Sequence, residues 1–247
     1  MDIKMNYDSL PWVLLPDGTR KINEELYDVI NYVKPYLPEN PIILEAGAST
    51  GEDTMRFKET WPKSIIHCFE PVPSLFGKLQ DRVLGIKGIA AHNFALSISF
   101  YDQKFNIAKS EEISSLFPDN FMNINIPQDV LDSVNMKRED AHDYDDTEII
   151  VKCMTINTYC NMNNIHAIDF MWLDTEGAEL KILQGASNIL SRVKVVSCEL
   201  NFQQFRKGAV MFDELYDFMI KNNFELKYIW GRDNWQGTGI FINKGAQ

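Results

Sequence analysis

Residues 43–54, Ile-Leu-Glu-Ala-Gly-Ala-Ser-Thr-Gly-Glu-Asp-Thr, run from an apolar stretch into one carboxylate, Glu45. They continue through small residues, with glycines at 47 and 51. Upstream, Pro41 to Glu45 has the short apolar pattern of a buried strand. Downstream, Glu52 to Trp61 reads as a helix stopped by Pro62. A strand, a loop almost without side chains and a helix make the first unit of an α/β sheet, in which ligands bind beyond the carboxyl ends of the strands.

Outward from this unit, apolar runs alternate with helical spacings. Ser64 to Phe69 predicts a strand ending at Glu70, and Pro73 to about Val83 a helix. Ile89 to Leu96 predicts a third strand, and Ile98 to Ile107 a fourth that pairs locally. Later come strands at Glu148–Ile156, Ile168–Leu173 (ending at Asp174) and Val193–Cys198 (ending at Glu199). Helices are expected at Asn157–Asn163, Ala178–Leu190 and Met211–Asn222, and final strands at Phe224–Trp230 and Thr238–Asn243. Alternation of this kind predicts an α/β fold with a mostly parallel, seven-stranded central sheet and helices on both faces. Four carboxylates, Glu45, Glu70, Asp174 and Glu199, then fall at equivalent strand ends.

Residues 1–40 read as an N-terminal helical extension, with helical spacing from Thr19 to Tyr36. Residues 108–147 are rich in acids and weak in periodicity, with too few apolar residues for a core, and read as an inserted lid. The whole of 1–247 is expected to form one domain.

Composition narrows the partners. Of 247 residues, 45% are hydrophobic and 24% charged, which suits a globular core. A net charge of −11, with lysines and arginines scattered, argues against nucleic acid. No stretch has the length of a membrane span. The four cysteines lack C-x-x-C spacing, which suits reduced thiols in the cytoplasm. A homo-oligomer is compatible with all of this.

Three nucleotide loops compete for residues 45–51. A P-loop needs G-x-x-x-x-G-K-[ST]; here the glycines are one residue too close and Glu52 stands in place of lysine. The dinucleotide fingerprint needs a middle glycine where this chain has Ser49, so a dehydrogenase would be irregular. The third pattern, acid-x-Gly-x-x-x-Gly, fits Glu45, Gly47 and Gly51. It places bare backbone beside a carboxylate that favours a cation. S-adenosylmethionine carries an ammonium and a sulfonium but no phosphate, and Glu70, one strand on, is placed to accept ribose hydroxyls.

The segments ILEAGASTGEDT, HCFEPVPSLFGKL, HNFALS, ISSLF, DFMWLDTEGAELKILQGA and VVSCEL together resemble the FkbM-type family of S-adenosylmethionine-dependent methyltransferases, with the class I Rossmann-like fold. The resemblance implies that Glu45, Gly47, Ala48, Ser49 and Gly51 hold the methionine end of the cofactor, and Glu70 its ribose. It also places Asn93 or Ala95 near the adenine. It further implies methyl transfer to a hydroxyl of a sugar, glycan or related small molecule.

An aliphatic hydroxyl needs help to lose its proton. Asp174, at a strand end facing the cofactor, is the first candidate base, and Glu199 the second. Asp174, Glu176 and Glu199, if they converge, suit a divalent ion such as Mg²⁺ instead. Glu176 and Glu179 also suit the first turn of a helix, where carboxylates meet the positive end of its dipole. His67 and His92 read as core histidines; His142 would matter only if the insertion closes over the site. Trp230, Asn234 and Trp235 could face a sugar, and Ser114 and Ser115 could line the cofactor mouth or cap a turn. Two other functions stay open: an NAD-linked oxidoreductase or epimerase, and a non-catalytic nucleoside-binding module.

Overall fold

Each apolar run beside the glycine loop becomes a strand of one sheet. The computed structural model describes residues 29–108, 111, 114–118, 147–204, 206–231 and 236–245. In chain order its elements are α1 (Val29–Val33), β1 (Ile42–Ala46), α2 (Glu52–Thr60), β2 (Ile65–Phe69), α3 (Pro73–Val83), β3 (Ile89–His92), β4 (Ala95–Leu96), β5 (Gln103–Ile107), β6 (Thr147–Val151), β7 (Cys153–Met154), α4 (Ile156–Met162), β8 (Ile168–Leu173), α5 (Glu179–Gln184), β9 (Val193–Asn201), α6 (Phe212–Lys221), β10 (Phe224–Gly231) and β11 (Gln236–Asn243). Single 3₁₀ turns lie at Lys34–Tyr36 and Leu190–Arg192.

The central sheet has seven strands in the order β10-β11-β9-β8-β1-β2-β3. From β3 through β9 every pairing is parallel, and β11 runs antiparallel to both its neighbours. Because β1 pairs with both β2 and β8, strand order reverses beside β1, where a doubly wound sheet opens a crevice.

Strands buried on both faces must be apolar almost throughout, and these are. Leu44, Met171 and Val196 face the helices α4, α5 and α6, among side chains such as Ile182 and Phe212. Ile43, Phe170 and Val195 face the other way, onto α1, α2 and α3 through Val33, Phe57 and Leu79. Three helices on each face match the expected architecture.

Several bounds differ from the sequence reading, each for a local reason. Ile89–Leu96 is two strands, not one. The chain turns at Asn93, whose side chain donates to the carbonyls of Glu70 and Pro71, and β4 then pairs with β7 outside the main sheet. The helix expected to reach Leu190 ends at Gln184, with Gly185 as its C-cap packed against the Ser97 carbonyl. Strand β9 passes Glu199 and ends at Asn201, because β11 pairs with it as far as Gln236. Residues 1–28 and most of the 108–147 insertion lie outside the described residues, as do His142, Asn234 and Trp235.

His67 and His92 are polar groups satisfied within the core. The Tyr159 hydroxyl lies 2.7 Å from His67 Nδ1 and 2.7 Å from His92 Nε2, tying β2 and β3 to α4. Burial lowers both imidazole pKa values, that of His67 to about 4, so both rings are neutral at pH 7. All four cysteines are buried free thiols. No described helix is long and apolar enough to cross a membrane.

Candidate active site

A cavity of about 350 Å³ opens at the carboxyl ends of β1 and β8, within the range of small-molecule sites. Its floor is the loop from Glu45 to Thr50, and its walls include Phe69, Ala95, Leu96 and Asp174.

The loop's shape explains its composition. Gly47 has φ +80°, and a Cβ there would sit 1.8 Å from the Asp174 carbonyl oxygen. Only glycine allows β1 and β8 to end so close together. Gly51 has φ +85° and abuts a Leu79 methyl, which lets α2 start beneath α3. Ser49 holds φ +46° without being glycine, and its N–H donates to Glu70 at 2.8 Å.

Those hydrogen bonds also decide between ligands. Gly47 and Ala48 both donate to the Phe69 carbonyl, Ser49 to Glu70 and Gly51 to Ala48. A pyrophosphate cradle presents its N–H groups outward to the anion. Here these four are already turned inward. Glu45, Glu52, Asp53, Asp174 and Glu176 line the cavity, and none of the described lining residues is cationic. Both features oppose a dinucleotide and suit a ligand with an ammonium and a sulfonium, so the residues present fit S-adenosylmethionine.

Glu45 is 1% exposed and accepts a hydrogen bond from the Thr54 hydroxyl. Burial pushes its carboxyl up to about 8, which leaves it protonated near neutrality until a cation arrives. Glu70 is 4% exposed, and its two oxygens accept the N–H groups of Ser49 and Val72, each at 2.8 Å. It therefore holds the glycine loop against the turn after β2; a ribose would use its remaining lone pairs. Burial raises Glu70 to about 7. Ala95 lines the cavity, whereas Asn93 braces the Glu70 turn from outside.

The pairing of Leu173 with Cys198 brings Asp174 and Glu199 side by side at the sheet edge. Glu176 joins them: one oxygen from each carboxylate lies within 4.8 Å of the other two. Asp174 is exposed; Glu176 and Glu199 are half-buried. Burial first, and then the Asp174 charge, raises Glu176 well above the usual carboxylate range.

Glu179 is 0% exposed and serves the turn rather than the cavity. One oxygen accepts from the Thr175 N–H (3.0 Å), the Thr175 hydroxyl (2.8 Å) and the Gly177 N–H (3.3 Å). Its other oxygen is buried with no hydrogen-bond partner among the described residues, and burial raises its pKa.

Sequence reasoning missed Thr54, which steadies Glu45, and the tie from Ser115 to Glu176, whose carbonyl accepts from the Ser115 hydroxyl at 2.8 Å. For Thr54 a signal exists: it falls one turn into α2, the helix that starts at the loop. For Ser115, 61 residues from Glu176, spacing gives none.

These shifts give a pH dependence for the ligand-free protein. Glu45 and Glu70 hold protons more tightly folded than unfolded, so each destabilises the fold as pH rises from its ordinary 4.5 to about 8 and about 7. His67 acts oppositely between about 4 and its ordinary 6.5 and is silent above that. The melting temperature should therefore fall by about 5 °C or more between pH 6.5 and 8. Scanning fluorimetry checks this, and Glu45→Gln should flatten the decline; an equally steep fall in that variant would exclude Glu45 as a source.

The profile of the methyltransferase FkbM domain matches residues 45–226. The chain is 23% identical over 217 residues to 2-O-methyltransferase NoeI of Sinorhizobium fredii, covering 85% of this chain and 81% of that protein. It is 24% identical over 193 residues to Methyltransferase 1 of Beauveria bassiana, covering 72% and 73%. Among solved structures, the Methanococcus jannaschii fibrillarin pre-rRNA processing protein aligns with a TM-score of 0.47 at 13% identity, over 85% of this chain and 69% of that one. The profile match starts at Glu45 and runs through the glycine loop, Glu70 and the Asp174–Glu199 edge, so the chain belongs to the FkbM family of S-adenosylmethionine-dependent methyltransferases, with the class I Rossmann-like fold.

Proposed function

We propose that the protein methylates a hydroxyl oxygen of a sugar, glycan or related small molecule. The observation that carries this reading is the convergence of Asp174, Glu176 and Glu199 beside the cavity. A carbon-bound hydroxyl must lose its proton as it is methylated, and a carboxylate at the end of β8 is placed to take it. Its similarity to a relative named for 2-O-methylation supports an oxygen acceptor.

S-adenosylmethionine supplies an activated methyl group when bound. Gly47, Ala48 and Ser49 offer it bare backbone, and Glu45 a counter-charge buried from water. Burial and the Asp174 charge raise Glu176, the buried Arg206 guanidinium lowers it, and the first two outweigh the third. Without a metal, Glu176 keeps a proton and Asp174, the most exposed of the three, acts as the base. Glu199 then orients the acceptor or takes over as base. The all-oxygen donor set also fits a hard divalent ion such as Mg²⁺, held by Asp174, Glu176 and Glu199, which would acidify a nearby hydroxyl.

With a net charge of −11 and a cavity lined by acids, the acceptor is a neutral small molecule or glycan, not a nucleic acid or a membrane surface. Four reduced, buried thiols fit a cytoplasmic enzyme, and we read residues 1–247 as one domain. A homo-oligomer fits the proposal equally well.

The test is incubation with methyl-labelled S-adenosylmethionine and a panel of methyl glycosides and cell-envelope or secreted glycans, followed by location of the label. Label on a sugar oxygen is expected. Label found only on nitrogen, on nucleic acid or on protein would overturn the reading. A chelator arm separates base from metal: activity lost in EDTA and restored by Mg²⁺ selects the metal.

A further inference from the structure

Glu176 lies in a backbone region that non-glycine residues avoid, with φ +54°, and Gly177 follows at +101°. The turn from Asp174 to Ala178 is therefore strained and needs fastening from outside. Glu179 ties its N–H groups from within, and Val210 donates to the Gly177 carbonyl at 3.2 Å. The Glu176 carbonyl is taken by Ser115.

Ser115 is itself rigidly placed. It is 0% exposed, and its main chain pairs with Asn106 of β5 in both directions, at 2.7 and 3.0 Å. Its hydroxyl also accepts the Phe117 N–H at 3.1 Å, which orients the hydroxyl proton toward Glu176. Phe117 is buried beside Gly208, with the Lys181 ammonium 4.2 Å from its ring centroid. Pro118 accepts from the Lys207 N–H. Ser114 and Leu116, on either side of Ser115, line the cavity.

From this geometry we infer that Ser115 is a positioning residue for methyl transfer: its hydroxyl holds the Glu176 backbone in the left-handed conformation that carries the Glu176 carboxylate to Asp174 and Glu199. The arm entering the insertion thereby sets the acid cluster, while its neighbours Ser114 and Leu116 face the ligand. The inference rests on the proposed role of that cluster.

In crystals of Ser115→Ala, Glu176 should leave positive φ and its carboxylate should move away from Asp174. An unchanged Glu176 would overturn the inference, whatever the acceptor. With methyl-labelled cofactor and the glycan panel, Ser115→Ala should lower kcat by about 30- to 100-fold. S-adenosylhomocysteine affinity, measured by calorimetry, should stay within about twofold of the unmodified protein, since the glycine loop is untouched. Ser115→Ala combined with Glu176→Gln should be no slower than Glu176→Gln alone. Additive losses, or cofactor affinity falling in step with turnover, would show that Ser115 merely supports the fold and would overturn its positioning role. If no panel member accepts label, the acceptor proposal fails, and the crystal result still decides Ser115.

Discussion

Alanine at position 47 is expected to abolish cofactor binding and to destabilise the fold by about 3–5 kcal/mol, from overpacking and left-handed strain together. The added methyl would lie 1.8 Å from the Asp174 carbonyl oxygen and 2.9 Å from its carbon. Backbone, unlike a flexible side chain, cannot swing aside. The Asp174 N–H is itself bonded to the Ala46 carbonyl at 3.1 Å, so relief must separate β1 from β8. That movement would spoil both the cofactor floor and the candidate base. Calorimetry with S-adenosylhomocysteine should show affinity at least about 100-fold weaker, together with a lower melting temperature. An alanine variant that binds within about tenfold would contradict the placement of this loop.

Asparagine at position 174 should separate chemistry from binding. It keeps size and hydrogen bonding but cannot accept a proton as a carboxylate does, and it is a poorer metal ligand. Turnover should fall by about 10²- to 10⁴-fold, the range typical for removing a general base. S-adenosylhomocysteine affinity should change by no more than about threefold, because Glu45 and the loop backbone are untouched. Full activity in Asp174→Asn would exclude both the base and the metal role.

Much of the fold could be read because its strands are buried on both faces. Ile42–Ala46, Ile65–Phe69 and Ile168–Leu173 are apolar apart from Glu45, His67 and Asp169, and each stops where a carboxylate or a glycine begins. Parallel strands also share an edge, which is why Asp174 and Glu199, assigned to separate strand ends, meet in space. What escaped prediction depends on tertiary contact. Glu70 looks free to bind ribose, yet its oxygens fasten two loops. Nothing around Asn93 announces that Ala95 and Leu96 leave the main sheet. Ser115 bonds Glu176 across 61 residues of chain, and no periodicity encodes that. Thr54 and Glu179 act through second contacts, holding Glu45 and Thr175, which line the cavity.

The place of β11, between β9 and β10, has a consequence for how the protein is made. β10 leaves the ribosome first, but within the central sheet its pairing is with β11. It must wait, a strand with an open edge, until Gln236–Asn243 has emerged and wedged itself in. A truncation before Gln236 would thus strip the sheet of two strands rather than one, and would bare the flank of β9 next to Glu199.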